Sequence, residues 1–302
     1  MSGSNNKLET SKQYLKLLVD NYPQIQIIAT GSSSFDLANK ICEPLTGRAW
    51  VFQLQPLSFI EISDEDRTIA TQTMERMLIF GSYPGIWNMS DADATSALTE
   101  LTSNYLFKDL FEYETLKKSP LLTKLLQALA LQIGNEVSLK ELSNILEVDI
   151  KTIERYIFLL EQTFVIYRLP ALKRNPRNEV GKLRKIYFAD LGLRNALIRN
   201  FNEIGLRNDI GALWENFCLN ERIKTNSYAE YKPNYYFWRS YSQKEIDLIE
   251  EFGDKMETFE FEWKGDRAML PNEFNTLYSK NSFTLVNNTN FLDKLFTKEV
   301  RR

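Results

Sequence analysis

Glu245-Ile-Asp-Leu-Ile-Glu-Glu-Phe-Gly-Asp-Lys-Met-Glu-Thr-Phe-Glu-Phe-Glu-Trp-Lys264 decides how the last third of the chain is read. Ile246 and Leu248 flank Asp247, while Phe259, Phe261 and Trp263 alternate with Glu260, Glu262 and Lys264. Successive side chains on a strand face opposite ways, so each run has one apolar and one charged face. Glu251-Phe-Gly-Asp-Lys255 between them has the length and the glycine of a hairpin turn. Such a hairpin gathers Asp247, Glu262 and Lys264 on its charged face. Two carboxylates suit a hard divalent ion, Mg2+ or Mn2+, that binds a phosphodiester and activates water, and an ammonium stabilises the charge that develops. The same alternation also describes a strand with one wet face and no site at all.

Working outward, Lys185-Ile-Tyr-Phe-Ala-Asp190 and Tyr235-Tyr-Phe-Trp-Arg239 are strand-like. Asp209 to Ile223 is a helix with Ile210, Leu213, Trp214 and Phe217 as its apolar stripe. A helix near Pro271–Tyr278 and a strand at Ser282–Val286 complete an α/β unit over residues 173–302. Upstream, Leu121 to Ile133 is an apolar helix stopped at Gly134-Asn135. Ser138 with Glu141 has capping-box spacing, and Asp149 is an N-cap for Ile150, Ile153, Ile157 and Leu160. Strand-like Phe164 to Leu169 follows, so residues 117–172 have the order of a winged helix. Residues 67–116 are helical and broken at Gly81-Ser-Tyr-Pro-Gly85. Residues 1–66 read as helix, strand (Ile25–Thr30), helix, strand (Arg48–Pro56), the start of a parallel sheet with too few members.

The 302 residues are enough for two or three domains, and a net charge of −3 confines any nucleic-acid surface to a local patch. Histidine is absent, which excludes histidine triads, histidine metal sites and histidine pH switches. Two cysteines, Cys42 and Cys218, are too few for a four-cysteine zinc site and point to a reducing, cytoplasmic setting. Both fall in apolar helical patterns that predict burial. No run is long and apolar enough for a bilayer, so no membrane partner is expected. A phosphate-binding Gly-x-x-x-x-Gly-Lys-Ser/Thr loop is missing too, so ATP hydrolysis is not expected of this chain alone.

Ile28-Ala-Thr-Gly-Ser-Ser-Ser34, Leu45-Thr-Gly-Arg48 and Leu54-Gln-Pro-Leu-Ser-Phe-Ile-Glu61 resemble the P-loop ATPases of the AAA+ superfamily from bacteria and archaea. The likeness continues through Gly81–Gly85, Lys185-Ile-Tyr-Phe-Ala-Asp-Leu-Gly-Leu-Arg194 and Gly211-Ala-Leu-Trp-Glu-Asn-Phe217. It implies four parts: a partial ATPase core (1–66), a helical lid (67–116), the winged helix (117–172) and a domain related to PD-(D/E)xK nucleases (173–302). It places Thr30, Ser32 and Arg48 near nucleotide phosphates once the missing upstream half supplies ATP binding, and adds Glu215 to Asp247 and Glu262 as a metal ligand. Two functions stay open: a nucleic-acid-binding, Mg2+-dependent nuclease-like module, or a catalytically silent regulatory and assembly piece of such an ATPase.

Between Arg168 and Arg199 nine basic residues face two acids, a balance of +7. Lys173, Arg174, Arg177, Lys182, Arg184 and Lys185 in that stretch either track phosphates, with DNA favoured over RNA, or form a solvated loop. The helix from Ile150 offers Lys151 and Arg155 but also Glu154 and Glu161, a poor basic face better suited to packing. Two strands without neighbours leave an open edge, which predicts repacking, disorder or self-association through residues 11–60.

Overall fold

A computed structural model describes residues 14, 16–30, 50–63, 67–102, 120–172, 184–240 and 242–296. The expected first domain does not form its strands within them. Residues 16–21 are helical, but residues 26–30 and 50–55 belong to no strand. Ile28, Trp50, Phe52 and Leu54 are each at least 78% exposed, so among the described residues the apolar pattern of both runs meets no packing partner. A strand is defined by its ladder partners, and neither run has any here. The helix expected from Phe35 to Leu45 lies outside the described residues.

From Pro56 the described chain packs into the core. Ser58 opens a single helical turn, α1 (Phe59–Ile62), with a complete capping box to Glu61. Helices α2 (Arg67–Phe80), α3 (Pro84–Trp87) and α4 (Asp91–Glu100) follow, with Gly81 at φ 71° making the expected break. The next helices are α5 (Pro120–Leu131), α6 (Leu139–Leu146) and α7 (Ile150–Gln162). Both predicted caps are present: Ser138 accepts from Glu141 N and Asp149 from Thr152 N. Leu122, Leu126, Leu142, Ile153 and Ile157 close the core of this three-helix unit.

Strand β1 (Ile166–Pro170) leaves α7 and pairs antiparallel with β2 (Arg184–Phe188), from Ile166↔Phe188 to Pro170↔Arg184. That ladder spans the expected 172/173 boundary, and Ile186 and Phe188 fill the core of the three-helix unit rather than that of the C-terminal unit. Next come α8 (Leu191–Leu197) and α9 (Ile210–Tyr228). Strands β3 (Asn234–Arg239), β4 (Glu245–Phe252) and β5 (Lys255–Phe261) form an antiparallel meander. After α10 (Asn272–Leu277), β6 (Asn281–Val286) adds parallel to β5, and α11 (Phe291–Leu295) ends the described chain.

Helix α9 lies on one face of this four-stranded sheet and centres the largest core. Trp214 stacks on Phe217 at 5.4 Å, meets Trp263 edge-on at 5.5 Å and Phe291 at 5.8 Å. Phe59, 2% exposed, enters the same core from α1, 5.1 Å from Phe291. Each such ring removed from water contributes roughly 2–3 kcal/mol. The predicted apolar face of Phe259, Phe261 and Trp263 is therefore the face toward α9. Among the described residues no helix is long and apolar enough to cross a membrane. Cys218 is buried, and Cys42 lies outside the described residues.

Candidate functional site

The charged face of the sheet meets β2 at one buried ammonium. Lys185, 2% exposed, places its Nζ 2.7 Å from Glu215 Oε1 and 3.7 Å from Asp247 Oδ1, and pairs with Glu245. Tyr187, two residues along β2, donates its hydroxyl to the same Glu215 oxygen at 2.5 Å. Phe237 lies on another side, its ring centre 5.6 Å from Nζ. Gly134 covers Glu215 from the α5–α6 turn: a methyl group there would lie 2.9 Å from Glu215 Oε2. Glu136 bonds Arg239 at 3.2 Å, and Arg239 lies 3.8 Å from the second oxygen of Glu245.

Four elements produce this arrangement. Each face of β2 is covered, so Lys185 has no exit to water and must find its counter-charges inside. Glu215 leaves the apolar stripe of α9 on the side facing β2. Asp247 is turned inward on β4 and accepts from Phe261 N at 2.9 Å. Burial disfavours the Lys185 ammonium, but the Glu215, Asp247 and Glu245 carboxylates outweigh it and hold the group charged. Burial, then the Glu215 and Glu260 charges, push the Asp247 carboxyl well above its usual range. Burial and the charges of Glu262, Glu215 and Glu245 raise Glu260 to about 7.

The expected trio is not gathered as the hairpin reading had it. Asp247 and Glu215 meet at Lys185. Strand β5 ends at Phe261, so Glu262 and Lys264 follow on an exposed turn, and Lys264 has no ion pair among the described residues. The ammonium beside the acids is Lys185, and the acid beside Asp247 is Glu260. Arg184 and Lys185 are both buried and paired, Arg184 with Glu154 at 3.8 Å, which removes them from any phosphate-tracking surface. Lys173, Arg174, Arg177 and Lys182 lie outside the described residues, as do Ser32 and Arg48; Thr30 is exposed. Among the described residues no three acidic or cysteine side chains are set to hold a metal ion. The oxygen donors suit Mg2+ or Mn2+ in kind, yet an ammonium stands between them, so the site does not fit the metal.

A second buried cluster lies on the opposite flank of α9. Lys224 Nζ bonds Glu221 Oε1 and the Leu57 carbonyl, each at 2.9 Å, and Glu221 Oε2 accepts from Phe59 N at 2.7 Å. Tyr228 adds a 2.9 Å bond to Glu61. Nearby, Asp190 accepts from Ser82 N at 2.7 Å and Leu193 N at 3.0 Å, and its carboxylate fills the space beside Gly81. Burial raises the Asp190 and Glu221 carboxyls against these bonds. A small cleft of about 10 Å³, room for about one water molecule, lies between Ser82, Asp190, Asn220, Glu221 and Lys224. Asn220 Oδ1 faces no partner among the described residues, while its amide holds the Phe188 and Ala189 carbonyls. Asn216 clasps both the N–H and the carbonyl of Phe188 at 2.8 Å, fixing β2 on α9.

Sequence reasoning missed Lys185 as the cation of the acid cluster, and missed Glu221 with Lys224 entirely. The available signal was a lysine inside an otherwise apolar strand, and a Glu–Lys pair three residues apart on a mostly buried helix.

Comparison with known proteins adds three matches along the chain. Residues 6–63 match the AAA domain family, residues 71–204 a domain of unknown function (DUF8612) and residues 210–294 a domain of unknown function (DUF4143). Uncharacterized proteins of Mycobacterium tuberculosis and Mycobacterium bovis are each 26% identical over 251 residues, covering 82% of this chain and 54% of theirs. An uncharacterized protein of Haemophilus influenzae is 22% identical over 182 residues, 57% of this chain and 46% of its own. The chain thus spans about half the length of the curated relatives it matches. No solved structure matches.

Proposed function

We propose that this chain is the coupling part of an AAA-type ATPase, turning changes at an ATPase core into changes in a catalytically silent, nuclease-like C-terminal unit. The observation that carries this reading is the grip on residues 57–59. They lie in the last part of the AAA-matched segment, and the buried Glu221–Lys224 pair bonds two of their backbone groups to α9. The same helix holds β2 through Asn216 and reaches the Lys185 cluster through Glu215. A shift of residues 57–59 therefore acts on a rigid element shared by both clusters. The three-helix unit with its β1–β2 ladder supports the winged-helix reading, used here for packing. ATP, and a second copy joined through the AAA-matched segment, are the partners this reading requires.

Hydrogen exchange followed by mass spectrometry tests it. The Glu221→Leu/Lys224→Met variant replaces the pair by apolar groups of similar size and leaves no charge stranded. Exchange at residues 57–63 is expected to rise at least tenfold, with a smaller rise in α9 and β2. Faster exchange at 57–63 with α9 and β2 unchanged would refute coupling.

A further inference from the structure

We infer that Lys185 is a built-in counter-ion, its ammonium standing among Glu215, Glu245 and Asp247 where a divalent cation would otherwise be drawn, so that the native pocket needs no metal and its removal opens a latent metal site.

Three features carry this. Nζ is already ligated as a small cation would be, with carboxylate oxygens from α9 and β4 around it and the Phe237 ring closing one side. The lysine cannot swing away, because its strand is covered on both faces and paired in register with β1, Leu169 opposite Lys185. The remaining negative charge has a second neutraliser. Arg239 bridges Glu136 and Glu245 at the rim. A fixed ammonium and a rim guanidinium together offset part of the acid charge, which is the task a metal performs in an open carboxylate site.

The native pocket and the pocket without Lys185 thus differ in one measurable respect. Thermal melting and calorimetric Mn2+ titration of the full chain separate them, using wild type, Lys185→Met and Lys185→Met/Glu215→Gln. Wild type is expected to show no Mn2+ binding at the cluster and no shift in Tm with Mn2+ or Mg2+. Lys185→Met is expected to melt about 10 °C lower without metal, and to regain about 5 °C in saturating Mn2+. The double variant is expected to lose that gain. Mn2+ binding to wild type that is abolished by Glu215→Gln overturns the inference, as does a folded Lys185→Met that ignores Mn2+. The wild-type titration decides the matter even if Lys185→Met does not fold. The exchange experiment on residues 57–63 is independent of it, so either conclusion can fail alone.

Discussion

Two lysines are buried on α9 or against it, and they live in opposite electrostatic conditions. Lys224 has one strong partner, Glu221, and spends its other bonds on a backbone carbonyl and the Ser82 hydroxyl. Lys185 faces three carboxylates, with Glu260 and Glu262 beyond them. A balanced buried pair fixes geometry, and removing one member strands the other. A crowded acid cluster can shed charge by taking up protons, so losing its lysine leaves it a second recourse. The comparison teaches that equal burial does not mean equal dependence.

The largest effect expected is at the balanced pair. Lys224→Met leaves Glu221 ionisable in a fully buried position and should cost about 3–5 kcal/mol in denaturant unfolding. Lys185→Met in the same assay should cost less; a larger loss would break the contrast. Gly81→Ala sharpens it from the neighbouring Asp190. The added methyl meets the Asp190 carboxylate and the backbone needs φ 71°, so a loss of about 3 kcal/mol is expected in the same unfolding assay. The smallest effect is a pH dependence. Glu260 has an ordinary value of 4.5 and is raised to about 7 in the fold, facing Glu262, Glu215, Glu245 and Lys185. Between those values the folded chain holds a proton that the unfolded chain has lost. Stability from this group is therefore present at low pH and declines as pH rises from 4.5 to 7. Glu260→Gln should flatten that decline by about 1–2 kcal/mol in melts taken across the window.

What the sequence made legible was local. The Ser138 and Asp149 caps, the Gly134 stop and the alternation of Phe259, Phe261 and Trp263 depend on residues within a few positions of one another, and all were found. What stayed hidden depends on distant partners. Lys185 meets Glu215 across 30 residues, Phe59 meets Glu221 across 162, and neither spacing has a sequence pattern. The site reading shows the same division. Asp247 and Glu215 lie together at Lys185, whereas Glu262 and Lys264 were placed by continuing a strand that ends at Phe261. The apolar runs at 25–30 and 50–56 show the converse: composition suited to a strand does not make one where the described residues offer no strand to pair with.

The β1–β2 ladder has a practical corollary. Its two strands come from either side of residues 173–183, and five register pairs, with Ile186 and Phe188 plugged into the helical unit, knit them together. A gene divided anywhere in that interval and expressed as two polypeptides should yield fragments that find each other and copurify. Neither fragment should behave as a free-standing module, because the β1–β2 ladder interlaces the described residues on its two sides.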